Sequence, residues 1–250
     1  MLGVVVTGEI WLRVPHTIRM RWDGALADGV CAKDMMLHMI GRFGMNGGQY
    51  QAVEFCGPAV QALVMNERMT LSNMSAELGA QAGLIAPDAT TLAWLAAHAA
   101  QTQNNEQNRA PAQKGWTQAA MESIADLSHW QTDAAAADSA DCSTHRFDAA
   151  TLEPVVAAPH SPANARGVSA FAGTAIDVAY IGACTGAKLD DLRAAAQVLR
   201  GRRVASGVRL MVAPASLRDQ QAARDSYQAF FFFFDTASSN FKFVYVALIL

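Results

Sequence analysis

The 250 residues contain four cysteines and no Cys-x-x-Cys pair, which excludes the commonest metal-binding and thiol-redox motifs from this sequence. Cys31, Cys56, Cys142 and Cys184 are widely separated, which argues against a secreted disulfide scaffold and favours a reducing, cytoplasmic compartment. Charged residues make up only 16%, and the net charge of −3 gives no indication of a nucleic-acid partner. The hydrophobic content of 52% is enough for a core and excludes a largely disordered chain.

A hydrophobic run of membrane-spanning length is also missing, so we expect no membrane partner. The apolar segment at residues 241–250 has Lys242 inside it and is about half as long as a bilayer requires. Residues 1–14 lack a basic region before their apolar run, and we therefore expect no signal peptide. Five consecutive phenylalanines open the tail at residues 230–250, which has neither helical caps nor a plausible alternation of strands and turns and is aggregation-prone. We hypothesise that a reading-frame slip produced this aberrant tail.

Strand and helix patterns alternate along most of the rest, and they predict an α/β fold with a parallel sheet. The predicted strands are residues 4–6, 10–14, 17–22, 49–55, 176–181 and 208–212, and the predicted helices are residues 33–43, 67–82, 91–100, 116–127, 189–199 and 217–227.

Composition changes along the chain suggest two domains. We assign an α/β domain to residues 1–130, a linker rich in Ala, Asp and Pro to residues 131–166, and the start of a second α/β domain to residues 167–229. The methionines of the predicted helix at 33–43 indicate core filling rather than a cofactor box, and His38 among them is interpreted as structural.

Glu54 is the acid of interest in the first domain. Side chains alternate along a strand, so Glu54 points away from the face that Val53 and Phe55 share. Two interpretations follow from the sequence, a carboxylate aimed into a cleft and a solvated carboxylate at a sheet edge.

Cys184 is the most suggestive residue of the second domain. It lies in the loop Gly182-Ala183-Cys184-Thr185-Gly186, between a predicted strand and a helix with Asp190 and Asp191 in its first turn. Such a loop favours an anion, either a thiolate or a cluster sulfide. The spacing also matches a cysteine version of the Gly-x-Ser-x-Gly nucleophile elbow, but all six histidines precede Cys184, whereas that fold places its histidine after the nucleophile.

Residues 179–193, AYIGACTGAKLDDLR, resemble the first cluster-cysteine motif of the aconitase superfamily. The segments TGEIWLRVP, GVCAKDMMLHMIGRFGMNGGQYQAVEFCG and ERMTLSNMSAELGAQAGLIAPDATT are similar, in order and spacing, to blocks of its 3-isopropylmalate dehydratase and homoaconitase large subunits. The resemblance covers most of residues 3–225. It implies aconitase-like three-layer α/β/α domains with a mostly parallel sheet.

The resemblance also implies a function. It points to a hydro-lyase that isomerises a small hydroxy di- or tricarboxylate by dehydration and rehydration, using a [4Fe–4S] cluster held by three cysteines and a small-subunit partner with a swivelling domain. Cys184 matches the first cluster ligand, and Glu54 matches the catalytic acid beside the cluster-bound hydroxyl.

Departures from the family pattern limit what this chain is expected to do alone. The Cys-x-x-Cys pair that supplies the other two ligands is absent, the histidine-rich amino-terminal motifs are absent, and Gly186 replaces an asparagine. We expect an internal fragment of the large subunit, with 3-isopropylmalate as substrate, that is inactive alone. The alternatives are a homoaconitase or dimethylmalate dehydratase relative and, from another class, a non-catalytic α/β fragment acting only by association.

Overall fold

The computed structural model describes residues 2–11, 13–103, 130, 142–182 and 186–226. Short 3-10 helices lie at Ala149–Thr151, Pro162–Asn164 and Val168–Phe171. In chain order the longer elements are α1 (Leu2–Thr7), β1 (Thr17–Asp23), α2 (Ala32–Phe43), β2 (Ala52–Cys56), α3 (Pro58–Ala62), α4 (Met65–Met74), β3 (Ala82–Leu84), α5 (Ala89–Gln103), β4 (Cys142–Asp148), β5 (Val155–Ala157), β6 (Ala165–Gly167), β7 (Val178–Ile181), α6 (Leu189–Leu199), β8 (Arg209–Val212) and α7 (Leu217–Ser226).

A four-stranded sheet organises the first part of the chain. Its strand order is β3-β2-β1-β4, and all neighbouring strands run parallel. β7 and β8 form a second parallel pair, whereas β5 and β6 pair antiparallel. The prediction of an α/β fold with a mostly parallel sheet is therefore confirmed.

The four-stranded sheet has one apolar face and one polar face. Along β1 the residues Ile18, Met20 and Trp22 are buried, while the alternating Arg19 and Arg21 are half-buried on the opposite face. The parallel register sets Ile18 beside Val53 and Arg19 beside Glu54, so β2 continues both faces. Parallel sheets are usually apolar on both faces, and the polar face here is therefore a departure that calls for a functional reason.

Helices α2, α3 and α4 contribute to the core at the apolar face. Met35, Met36 and Met39 of α2 are fully buried in it, which confirms that these methionines are core residues. His38 packs edge-on against Trp22 and Phe147, at ring-centroid distances of 5.9 Å to each, in agreement with a structural role.

The second unit consists of β7, α6, β8 and α7, in the predicted order of strand, helix, strand, helix. Leu192 of α6 and Ala223 of α7 are buried together with Ala187, and Ile181 and Val212 from the two strands pack against them. Asp190 and Asp191 occupy the first turn of α6, as predicted.

The amino-terminal strand predictions are wrong. Residues 4–6 belong to helix α1, and residues 10, 11, 13 and 14 form no strand. Val5 and Val6 expose 81% and 75% of their surface. A strand is stable only beside a partner strand, and within the described ranges none pairs with this segment, so its β-branched composition does not decide its conformation.

Two element boundaries also differ from the prediction. The helix expected over residues 67–82 ends at Met74 and is followed by turns that include Gly79, whose φ of +81° favours glycine. A Cβ atom at Gly79 would lie 2.6 Å from the carbonyl oxygen of Met45, so the turn also requires glycine for space. The strand expected from residue 49 begins at Ala52, since Gln49 and Tyr50 adopt left-handed backbone conformations in a turn.

Part of the predicted linker is folded structure. Strand β4 pairs with β1 along seven residues, and the β5–β6 hairpin packs against α2. Residues 142–148 therefore belong to the first sheet, while the division of the chain into two domains stays a prediction. The expected helix at 116–127, the low-complexity part of the linker before residue 142, Cys184 and the tail at 230–250 lie outside the described residues. Within the described ranges, no helix is long and apolar enough to cross a membrane.

Candidate active site

Glu54 lies on β2, an interior strand of the four-stranded sheet, and only 6% of its surface is exposed. The interpretation of Glu54 as a solvated edge carboxylate is therefore wrong. Val53 and Phe55 point into the apolar core, and Glu54 shares the polar face with Arg19. A buried carboxylate needs a compensating charge, and the Nε atom of Arg19 lies 3.6 Å from its Oε2 atom.

Cys56 continues the same face at the carboxyl end of β2. Burial raises the pKa of the Cys56 thiol, Arg19 and Arg21 lower it, and the Glu54 carboxylate raises it further. Glu54, Cys56, Arg19 and Arg21 therefore form one electrostatically coupled group, which we call the Glu54 group. The sequence indicated Glu54, but the arginines on β1 were missed because they become neighbours of Glu54 only through strand register.

The carboxyl edge of the sheet carries further charges. Asp23, the last residue of β1, accepts hydrogen bonds from Arg21 at 2.8 Å and from Arg146 of β4 at 3.2 Å. Open α/β sheets bind ligands at this edge. A cavity of about 450 Å³ lies instead at the amino-terminal edge, lined by residues such as His16 and Gln51 that precede the strands, and Glu54 does not line it.

The two ends of the Cys184 loop are fixed by the second unit, although Cys184 itself lies outside the described residues. A Cβ atom at Gly182 would lie 2.7 Å from the Tyr180 ring, so the Tyr180 side chain packs closely over the chain where it leaves β7. At the far end, the buried Ala187 accepts a hydrogen bond from the Ala215 amide at 2.9 Å. Of the two predicted site residues, the structure describes Glu54 only.

Carboxylates cap the helix that follows the loop. Asp191 accepts a hydrogen bond from the Lys188 amide at 3.0 Å, and Asp219 of α7 accepts one from the Leu189 amide at 3.1 Å. Both acids satisfy amides at the positive end of α6. Asp219 was missed by the sequence because it caps a helix thirty residues away.

The first turn of α6 meets the first turn of α4. The Asn66 side-chain amide donates a hydrogen bond to Asp190 at 3.2 Å, and the Lys188 ammonium donates one to the Asn66 carbonyl at 3.4 Å. Glu67 beside them accepts a hydrogen bond from the Ala32 amide at 3.2 Å. Burial raises the pKa of Glu67, and the nearby Asp190 and Asp191 carboxylates raise it further.

Arg68 is a buried charge that anchors α4 and that the sequence did not reveal. Its guanidinium donates to the carbonyls of Leu63 and Gln61 and forms two hydrogen bonds with the Asp88 carboxylate, at 2.7 and 2.8 Å. Arg68 holds the pKa of Asp88 below its usual range. The sequence predicts a helix around Arg68 and a turn near Asp88, but neither pattern indicates that these two side chains pair.

The residues that the structure describes do not complete a site for a three-cysteine cluster. In the part of the chain that the structure describes, no group of three His, Cys, Asp or Glu side chains could hold a metal ion. Cys31 precedes α2, Cys56 ends β2 and Cys142 begins β4, so these three thiols belong to different elements. A cluster normally takes three or four thiolates, and these three are not brought together.

Comparison with known proteins gives a consistent result. The model of the aconitase family (aconitate hydratase) matches residues 2–232. The chain is 39% identical over 214 residues to the 3-isopropylmalate dehydratase large subunit of Nitratidesulfovibrio vulgaris, covering 86% of this chain and 44% of that protein. It is 36% identical to the probable 3-isopropylmalate dehydratase large subunit of Methanothermobacter thermautotrophicus, with 90% and 47% covered, and 36% identical to the 3-isopropylmalate dehydratase large subunit of Geobacter sulfurreducens, with 88% and 47% covered. The chain thus spans less than half the length of these relatives.

Proposed function

Because this chain belongs to the aconitase family, we propose that it is part of the large subunit of a hydro-lyase. The reaction would isomerise a small hydroxy carboxylate by removing water and adding it back at the neighbouring carbon. Relatives named 3-isopropylmalate dehydratase large subunit, at 34–39% identity, favour 3-isopropylmalate as the substrate and leucine biosynthesis as the role. A homoaconitase or dimethylmalate dehydratase activity is the alternative within the family.

The main support for this proposal is the burial of Glu54 beside Arg19 on the polar face of the sheet. A carboxylate held in this way suits general acid and base catalysis, because its position is fixed and its exchange of protons with bulk water is restricted. We propose that Glu54 holds and moves the proton at the substrate hydroxyl. Arg19 would keep the Glu54 carboxylate compensated while the site is closed to water.

The family carries an iron–sulfur cluster, which supplies a Lewis-acid iron when bound. We propose that Cys184 is the first of its three ligands. The other two ligands form a Cys-x-x-Cys pair in the family, and this sequence has no such pair. We therefore propose that this chain alone neither holds the cluster stably nor turns over substrate. We also propose that the chain acts together with a small-subunit partner in a reducing, cytoplasmic compartment.

A chimeric large subunit tests the proposed activity. The matching stretch of the Nitratidesulfovibrio vulgaris large subunit would be replaced by that of this chain and expressed anaerobically with the small subunit of that enzyme. We expect the chimera to isomerise 3-isopropylmalate, and Glu54→Gln to lower kcat by about 10²- to 10⁴-fold. The exposed Glu9, mutated to Gln, serves as the matched control and should leave kcat unchanged.

Each other outcome has a defined meaning. Turnover of homoaconitate or dimethylmalate in place of 3-isopropylmalate would reassign the substrate. A chimera that binds its cluster, folds and turns over none of the three substrates would contradict the catalytic proposal and favour a fragment that acts only by association. If Glu54→Gln retained more than half the activity, Glu54 would not be the residue that transfers the proton.

A further inference from the structure

The contact between the first turns of α4 and α6 joins the unit that carries Glu54 to the unit that carries the ends of the Cys184 loop. Asn66, the second residue of α4, takes part in it twice. Its side-chain amide donates to Asp190 at 3.2 Å, and its carbonyl accepts from the Lys188 ammonium at 3.4 Å. One residue of the first unit thus contacts both Lys188, the N-cap of α6, and Asp190 in its first turn.

The carboxylates around position 66 favour a neutral side chain there, although the Lys188 ammonium is also close. Glu67 and Asp191 lie close by, and Asp190 itself is shared with Arg193, whose Nη1 atom lies 2.7 Å from its Oδ1 atom. A carboxylate at position 66 would face Asp190 without a proton to donate and would add a negative charge to an acidic cluster. An amide donates to Asp190 without that repulsion.

This contact bears on the proposed active site because α6 is the helix that follows the Cys184 loop. Helix α6 begins at Leu189, five residues after Cys184, so the place of its first turn fixes where the Cys184 loop ends. Because α4 follows β2 through α3, Asn66 also belongs to the unit whose sheet carries Glu54.

We infer that Asn66 is a positioning residue, which docks the first turn of α6 onto α4 and thereby sets the end of the Cys184 loop relative to the Glu54 sheet. The functional part of this inference rests on the proposed roles of Glu54 and Cys184. The docking itself does not, and it can be measured in the chain without catalysis.

Hydrogen exchange of the chain, followed by mass spectrometry, tests the docking. We expect Asn66→Asp to accelerate exchange of the amides in residues 186–199 by about tenfold, the equivalent of one lost hydrogen bond, while the amides of α2 stay protected. The matched control is Asn164→Asp, which removes a surface hydrogen bond to the Pro159 carbonyl at 2.9 Å and should leave residues 186–199 unchanged.

A charge swap distinguishes specific docking from general destabilisation. The double variant Asn66→Asp with Asp190→Asn restores one amide and one carboxylate at the contact and should return exchange to within about twofold of the wild type. The loss of the exposed Asp190–Arg193 pair matters little. Unchanged exchange in Asn66→Asp, or a double variant that exchanges as fast as Asn66→Asp, would overturn the inference whether or not the chimeric enzyme is active.

Discussion

Buried charges at single residues are compensated in this chain by partners distant in sequence. Arg68 meets Asp88 twenty residues later, and Arg19 meets Glu54 through the register of two strands. The sequence predicted that Glu54 is chemically important, because its motif resembles a family acid. It could not predict Arg19 or Arg68, because such pairings are decided by tertiary structure and leave no periodic pattern in the chain.

Replacement of Arg68 should destabilise the chain strongly. Arg68→Ala leaves the buried Leu63 carbonyl, the part-buried Gln61 carbonyl and the Asp88 carboxylate without their donor, and we expect a loss of about 3–5 kcal/mol in the free energy of unfolding measured in urea. Arg68→Lys should recover only a minor part, since an ammonium cannot reproduce the planar fork. The exposed Arg146, mutated to Ala, is the control, with an expected loss below about 1 kcal/mol. A loss below that limit for Arg68→Ala would contradict the assigned anchoring role.

Alkylation of Cys56 should report the electrostatics of the Glu54 group. Burial raises the pKa of Cys56, Arg19 lowers it and Glu54 raises it, so the thiolate fraction at pH 8 should rise in Glu54→Gln and fall in Arg19→Met. We expect changes of about threefold in opposite directions, measured by site-resolved mass spectrometry.

Cys31 provides the internal control for this experiment. Although Cys31 retains exposed surface, burial around its thiol and the Asp34 carboxylate raise its pKa to about 11. Its slow alkylation should not respond to either substitution. Equal rates for Cys56 in both variants and the wild type would show that the Glu54 group is not coupled.

At the scale of elements, the sequence predicted best where a helix or strand packs against the core. Strand β1 and helices α2 and α6 follow their hydrophobic periodicity nearly to the residue. The prediction failed for residues 4–6, whose valines favour a strand but lack a partner strand among the described elements, and for α4, which a turn at Gly79 follows. Hydrophobic periodicity indicates which face of a helix or strand is buried. Where the element ends depends instead on the turn that follows it and on the neighbouring elements.

The junction of α2, α4 and α6 should make stability depend on pH through Glu67. Burial and the Asp190 and Asp191 carboxylates raise the folded-state pKa of Glu67 above its unfolded value of about 4.5. The stabilisation from its protonated form is therefore complete below that value and is lost as pH rises through the folded pKa. We expect Glu67→Gln to raise the thermal midpoint by about 2–4 °C at pH 7.5, with the gain vanishing at pH 4.

The pH dependence separates this effect from ordinary stabilisation. Thermal scans of wild type, Glu67→Gln and the exposed control Glu9→Gln across pH 4–8 should show a difference that grows with pH only for the first variant. A constant offset at every pH, or a larger gain at pH 4 than at pH 7.5, would contradict the assigned pKa direction.

At the scale of the whole molecule, the family could be inferred from motifs spread along the chain, and the family model matches residues 2–232. The strand order β3-β2-β1-β4 could not, because β4 follows a long segment and returns to the far side of β1. The division of the sheet into an apolar and a polar face could not be predicted either, because it depends on the strand register that places Arg19 beside Glu54. The chemical roles of Glu54 and Cys184 therefore stay predictions, and the neighbours of Glu54 became visible only in the structure.

The tail at residues 230–250 should contribute little to the folded state. The family match ends at residue 232, within the run of five phenylalanines, which supports the proposal that the following residues are foreign to the fold. We expect deletion of residues 230–250 to raise solubility and to leave the thermal midpoint within a few degrees. A large fall in the midpoint would mean that the tail packs natively, and the hypothesis of a reading-frame slip would lose its main support.

We propose that this chain carries one of the three cluster ligands of its family, Cys184, and does not hold a [4Fe–4S] cluster alone. Anaerobic reconstitution with iron and sulfide, followed by Mössbauer spectroscopy and iron analysis, tests it directly. We expect far less than one four-iron cluster per chain, with the same iron content in Cys184→Ser, because one thiolate cannot replace three. A stable four-iron cluster in near-stoichiometric amount, lost on Cys184→Ser, would contradict it.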